Sequence, residues 1–261
     1  MKGTAFSPYI SSNRNRAGLQ PPRHSALKAS DQKPGPLNSP DSRPEGRPSG
    51  RLGPTRLGIL LSGRGSNFLA IAQSIRRGRL PGVEIAVVIS NVPDAGGLKA
   101  AAELDLPHAA LVSKSRPRAD HDADVIACLQ SHQVDLVCLA GYMRLLSPQF
   151  IAAFPNKILN IHPSLLPAFP GLEAQRQAFD YGVKVAGCTV HFVDEHLDHG
   201  VIILQNPIPV LDTDDAHSLS TRILAEEHIA YTEAIARVTS GAYEIRDRRF
   251  VPKMAPGGSQ R

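Results

Sequence analysis

The chain has 261 residues, 42% of them hydrophobic and 20% charged, with no Trp and a formal net charge of +5. That length holds one sizeable α/β domain or two small ones, and no apolar run approaches the roughly eighteen residues that a membrane helix needs. The charge is local: residues 1–50 carry 8 Lys+Arg against 3 Asp+Glu, and the remainder carries 21 of each. The globular part is therefore neutral, and the basic isoelectric point gives no reason to expect a nucleic-acid ligand.

Residues 1–55 are rich in Pro, Ser and Gly and show no period of 2 or 3.6. Such a segment cannot bury enough apolar surface to offset its ordering entropy, so a disordered basic extension is expected. No apolar stretch follows Lys2, as a secretory signal would require. Cys128, Cys138 and Cys188 are widely spaced in apolar surroundings. Free thiols in a reducing, cytoplasmic setting are the expectation.

From Arg56 the pattern becomes periodic. Leu57 to Leu61 reads as a strand, Phe68 to Arg77 as an amphipathic helix, Glu84 to Ser90 as a strand and Gly97 to Glu103 as a helix. His108 to Val112 is a short strand, Ala119 to His132 a helix, and Asp135 to Ala140 a strand. Apolar runs of this length alternating with helices predict a mostly parallel, doubly wound α/β sheet. Ile158 to His162, Cys188 to Val193 and Val201 to Leu204 are further strands. No helix directly follows the last two, which points to antiparallel pairing in the C-terminal half. A long helix from Ala216 to Val238 closes the domain, with Leu219, Ile223, Ala230, Ala234 and Val238 as its apolar stripe.

Three segments carry chemistry. Ser62-Gly63-Arg64-Gly65-Ser66-Asn67 joins a strand to a helix, and two glycines let the backbone approach an anion at the helix start. It is neither a Walker loop nor a full dinucleotide fingerprint, and a ligand-free tight turn is an equal reading. In the extended segment Asn160-Ile161-His162-Pro163, Asn160 and His162 share a face. An amide that steadies an oxyanion beside an imidazole that handles a proton suits attack on a carbonyl, although a polar pair ending a strand explains the same residues. Asp194 to Gly200 is a polar loop whose His196 and His199 also have the composition of a metal site, but a solvated loop accounts for most of it.

Together with ISNVPDAGGL, LAGYMRLLSP, LNIHPSLLPAFPGL and GCTVHFVDEHLDHGVIILQ, these segments resemble the phosphoribosylglycinamide formyltransferase family from about Arg56 to Phe250. The resemblance implies a formyltransferase domain over 56–250, with a flexible tail at 251–261. It implies direct attack of the glycinamide ribonucleotide amine on 10-formyltetrahydrofolate as cosubstrate, with no covalent intermediate and no metal. Asn160, His162 and Asp198 are then catalytic; Gly65, Ser66, Asn67, Met143, Pro163 and Glu227 would hold the ribonucleotide; Arg118, Arg144, Leu145, Leu146 and Asp194 would line the folate cleft. Small-molecule substrates are implied, with no nucleic acid and no membrane, in a monomer or homodimer. Arg64 and Leu224 depart from the family pattern at the phosphate loop and the ribose contact.

Two relatives of that family share its core. A formyltetrahydrofolate deformylase usually has a His-His after Asn-Ile and an N-terminal regulatory domain, whereas here His162 precedes Pro163. A methionyl-tRNA formyltransferase has a C-terminal RNA-binding domain that the roughly twenty residues after the last helix do not hold. A non-catalytic nucleotide- or folate-binding module would have lost the polar triad.

Overall fold

A computed structural model describes residues 53–254, so the expected extension at 1–55 lies almost wholly outside the described residues, as does most of the expected tail. In chain order the elements are β1 (Thr55–Leu61), α1 (Ser66–Arg76), β2 (Val83–Ser90), α2 (Gly96–Glu103), β3 (His108–Ala110), α3 (Arg118–Ser131), β4 (Leu136–Leu139) and α4 (Pro148–Ala153). They continue as β5 (Ile158–His162), α5 (Ala174–Tyr181), β6 (Val185–Phe192), β7 (Ile202–Pro209), α6 (Ala216–Thr239), β8 (Tyr243–Arg246) and β9 (Arg249–Pro252).

The apolar runs line up as one seven-stranded sheet in the order β3-β2-β1-β4-β5-β6-β7. Pairing is parallel from β3 to β5 and antiparallel for β5–β6 and β6–β7, the doubly wound arrangement with an antiparallel end that the sequence predicts. Strand β1 is apolar on both faces because both are covered. Leu57, Ile59 and Leu61 pack on one face against Phe68 and Ile71 of α1 and Leu219, Ile223 and Tyr231 of α6. Leu60 packs on the other face with Val125 and Leu129 of α3 and Phe150 of α4. The fully buried Tyr231 hydroxyl donates to the carbonyls of Leu139 and Leu159, at 3.1 Å each, tying α6 to the two central strands.

Strand order reverses between β1 and β4, so the loops leaving their carboxyl ends diverge and open a crevice, where ligands bind in such sheets. Gly65 caps α1 with φ 78, and a Cβ there would stand 2.8 Å from the Gly97 Cα. Only glycine permits both the left-handed backbone and this approach of the β1–α1 loop to α2.

Two short helices and a hairpin were not expected. Helices of six and eight residues, α4 and α5, are too short to display a helical period. Ser147 and Pro148, as N-cap and first helical residue of α4, were the available signal. The hairpin β8–β9 turns at Asp247, φ 54, without the Asn-Gly or Asp-Gly that usually marks such turns. It is held by Phe250, which stacks on Tyr243 at 5.0 Å and meets Phe192 edge-on at 5.8 Å. Because β9 runs through Pro252, ordered structure extends two residues past the expected domain end at 250.

Candidate active site

Strand β5 builds one end of the site. Its alternate residues Leu159 and Ile161 enter the core under α1 and α6, and Ile158 joins the α3/α4 core. By alternation Asn160 and His162 continue the face of Ile158. Strand β6 pairs antiparallel with β5, placing His191 opposite Asn160 and Thr189 opposite His162. The loop after β6 leaves the sheet beside Ile158, where Val193 N–H bonds the Ile158 carbonyl at 2.9 Å. Its Asp198 nevertheless reaches His162, four residues further along β5, so the loop folds back over this face.

Four side chains converge there. His162 Nδ1 lies 3.5 Å from Asp198 Oδ2, and His191 Nε2 lies 3.9 Å from Asp198 Oδ1. Asp198 Oδ2 also accepts the Gly171 N–H at 2.8 Å, which fixes the carboxylate against the loop after Pro170. His162 Nε2 bonds the Phe169 carbonyl at 2.9 Å. Both His162 ring nitrogens therefore face acceptors. His191 is the opposite case. Its Nδ1 donates to the Phe192 carbonyl at 2.7 Å, so Nε2 is free to accept from Asn160 Nδ2 at 3.2 Å. Burial holds the His191 imidazole below its ordinary pKa, consistent with a neutral acceptor.

A second cluster lies at the crevice. No side chain caps α1, so the first-turn N–H groups at Ser66 and Asn67 are available to an anion. Asn67 Nδ2 donates to Glu227 Oε2 at 2.8 Å, joining residues 160 positions apart. Glu227 is 5% exposed, and burial pushes its carboxyl up to about 7, partly opposed by the Asn67 hydrogen bond. Ser62 Oγ donates to Asn91 Oδ1 at 2.6 Å and accepts the Met143 N–H at 2.8 Å, which binds the loops after β1, β2 and β4 together. Arg64 is exposed beside this loop, and Leu224 is half-buried one turn before Glu227.

The remaining predicted residues are placed more loosely. Met143 and Leu145 project into solvent, whereas Leu146 packs against the α3/α4 core. Arg144 Nη2 donates to the Arg116 carbonyl at 3.3 Å, and Arg118 is an exposed first residue of α3. Pro163 is half-buried directly after His162. Asp194 bonds within its own loop, to the His196 N–H and to His199 Nδ1, each at 2.9 Å.

Two residues escaped the sequence reading. His191 was visible only as a polar member of the alternating strand, on the face it shares with Thr189. Asp122 is fully buried, and its Oδ2 accepts the Ser147 N–H at 2.6 Å, anchoring the end of the 141–147 loop. An acid at a core position of α3, flanked by Val125, Ile126 and Leu129, was its signal.

The formyl transferase family model matches residues 55–235. A phosphoribosylglycinamide formyltransferase of Haemophilus influenzae is 39% identical over 193 residues, covering 74% of this chain and 91% of that protein. The crystal structure of glycinamide ribonucleotide transformylase 1 from Symbiobacterium toebii superposes with a TM-score of 0.75 at 50% identity, covering 79% of this chain and 98% of the other. A trifunctional purine biosynthetic protein of Drosophila pseudoobscura pseudoobscura is 43% identical over 204 residues, 77% of this chain; the match spans only 15% of that much longer protein. With the fold, the order of the motifs and these likenesses in agreement, the chain belongs to the formyl transferase family, among its phosphoribosylglycinamide formyltransferases.

Proposed function

We propose that the chain transfers the formyl group of 10-formyltetrahydrofolate to the amine of glycinamide ribonucleotide, a step of purine biosynthesis, in the cytoplasm. The convergence of Asn160, His162 and Asp198 on one face, from one strand and a returning loop, carries this reading. In the transfer, the amine nitrogen bonds to the formyl carbon, the bond from that carbon to folate N10 breaks, and one proton passes from the amine to N10. An amide nitrogen has two N–H groups. One is spent on His191 and the other serves the developing oxyanion, while His162 takes part in the proton transfer. Asp198 holds His162 in place and supports the proton's passage.

The ribonucleotide phosphate is assigned to the backbone of Gly65, Ser66 and Asn67 and the ribose to Glu227, with the amine end near Met143 and Pro163. Arg144, Leu145, Leu146 and Asp194 are assigned to the folate, and Arg118 to its glutamate tail. The exposed apolar side chains of Met143 and Leu145, flanking Arg144, favour a partly apolar cosubstrate there. Free Cys128, Cys138 and Cys188 are consistent with a reducing compartment, and among the described residues no helix is long and apolar enough to cross a membrane.

The test mixes purified protein and 10-formyltetrahydrofolate with and without glycinamide ribonucleotide and follows carrier deformylation. Turnover that depends on the amine is expected. Equal loss without amine would make the chain a hydrolase, and no turnover a binding module.

His191 has a separable role. His191→Leu removes the acceptor that orients Asn160 and is expected to lower kcat about tenfold with little change in either KM, a fraction of the loss from deleting an oxyanion donor outright. His191→Gln keeps an acceptor and should recover part of the rate. Steady-state kinetics on both variants checks this, and a rise in KM with unchanged kcat would reject the positioning role.

A further inference from the structure

The loop between β6 and β7 holds a group of side chains that the proposed transfer does not use as a unit. Asp194, His196 and His199 each present a donor atom, and these three atoms lie within 4.8 Å of one another. His199 Nδ1 is 2.9 Å from Asp194 Oδ2, and His196 Nδ1 is 3.9 Å from Asp194 Oδ1. A tetrahedral ion with bonds near 2.0–2.1 Å needs ligand atoms about 3.3 Å apart, so these separations bracket the requirement.

The loop is built to keep them there. Its base is closed by Phe192 N–H on the Val201 carbonyl at 2.9 Å. Gly200 packs so tightly that a Cβ would fall 1.8 Å from the Phe192 carbonyl oxygen. His196 and His199 already face each other, with ring centroids 5.1 Å apart. Asp194, Glu195 and Asp198 supply three acidic side chains within the same few residues. One feature opposes a cation: Arg248 Nη1 lies 3.2 Å from His199 Nε2 while Nη2 bonds the His199 carbonyl at 2.6 Å. The same Nη1 also lies 3.4 Å from His199 Nδ1, so an ion at Nδ1 requires this exposed guanidinium to turn aside.

We propose that Asp194, His196 and His199 form a site for a divalent transition-metal ion of the zinc class. Two imidazoles and one carboxylate suit zinc, cobalt or nickel and disfavour calcium and magnesium, which take oxygen ligands. Water completes the shell, since the side chains are largely exposed. The ion is accessory to the transfer chemistry at Asn160. Because Asp198 lies between two of the ligands in sequence, an ion here fixes the same loop that delivers the carboxylate to His162.

Tag-free full chain is titrated with Zn2+ by calorimetry and with Co2+ by visible absorption. One ion per chain is expected, with a dissociation constant on the order of micromolar, and bound cobalt should give the intense band of a low-coordinate site. His196→Ala and His199→Ala should each weaken binding at least about tenfold, the scale on which changes at a metal site act. Both side chains are exposed, and metal-free melting curves matching the parent's show that the variants fold. His162→Ala, which alters the neighbouring His162, His191 and Asp198 cluster, should retain the ion. Absence of binding, binding unchanged by both loop variants, or binding lost with His162→Ala would each overturn the assignment.

Discussion

His162→Ala is expected to lower kcat by at least about a hundredfold, the usual contribution of a positioned proton-transfer group. His162 is 4% exposed and its imidazole lies between the Phe169 carbonyl and Asp198, so neither water nor another described side chain takes its place readily. Its loss also leaves Asp198 held only by the Gly171 N–H and by the more distant His191. Both KM values should change little, because the loop proposed for the phosphate and the residues proposed for the folate are untouched. His162→Asn separates chemistry from packing: it fills most of the volume and keeps a donor, yet cannot carry a proton near neutral pH. Single-turnover rates for both variants, with melting curves to confirm folding, decide the matter. Turnover near the parent's rate in either variant would remove His162 from the reaction.

Glu227→Gln is expected to act in opposite directions on stability and on binding. Burial raises the carboxyl from its ordinary 4.5 to about 7, so the folded state binds more protons than the unfolded state between those values. The contribution of this group to stability is therefore full below about pH 4.5 and is lost as pH rises to about 7, by at most about 3 kcal/mol. Glutamine removes that cost while its carbonyl still accepts from Asn67. Urea unfolding should show the variant more stable by up to about 3 kcal/mol at pH 8, with the difference vanishing near pH 4.5. On the proposed assignment of the ribose to Glu227, the same substitution removes a charged acceptor for its hydroxyls. KM for the ribonucleotide should rise about tenfold, as expected for a hydrogen bond to a charged group. In the parent, KM for the ribonucleotide should fall as pH rises through 7 and the carboxylate forms. Equal stability of parent and variant at pH 8 would show that the ionised carboxylate is not buried at a cost.

These two residues also show how far the chain could be read without its fold. Asn160 and His162 were legible as an i, i+2 pair before a proline, because alternation in an extended segment is a local property. The β1–α1 loop was legible for the same reason, its glycines marking a backbone that must turn and approach closely. Asp198 and Glu227 gained their roles only through resemblance to a family, since nothing local distinguishes an orienting acid from a solvated one. His191 was read only as part of an alternating strand. Its role depends on which strand lies beside β5 and in what register, and a shift of one residue would have put it on the opposite face.

What the sequence determined by itself was the layered α/β architecture, the ends of the long helices and the candidate polar pair. Each follows from backbone geometry repeated over a few residues. What only the tertiary structure decided was adjacency. It brought Asn67 to Glu227 across 160 positions, seated His191 against Asn160, buried Asp122 under the Ser147 turn, and gathered Asp194, His196 and His199 around one point. Such contacts are set by strand order, register and the packing of helices on the sheet. These are properties of the whole chain, and no window of sequence displays them.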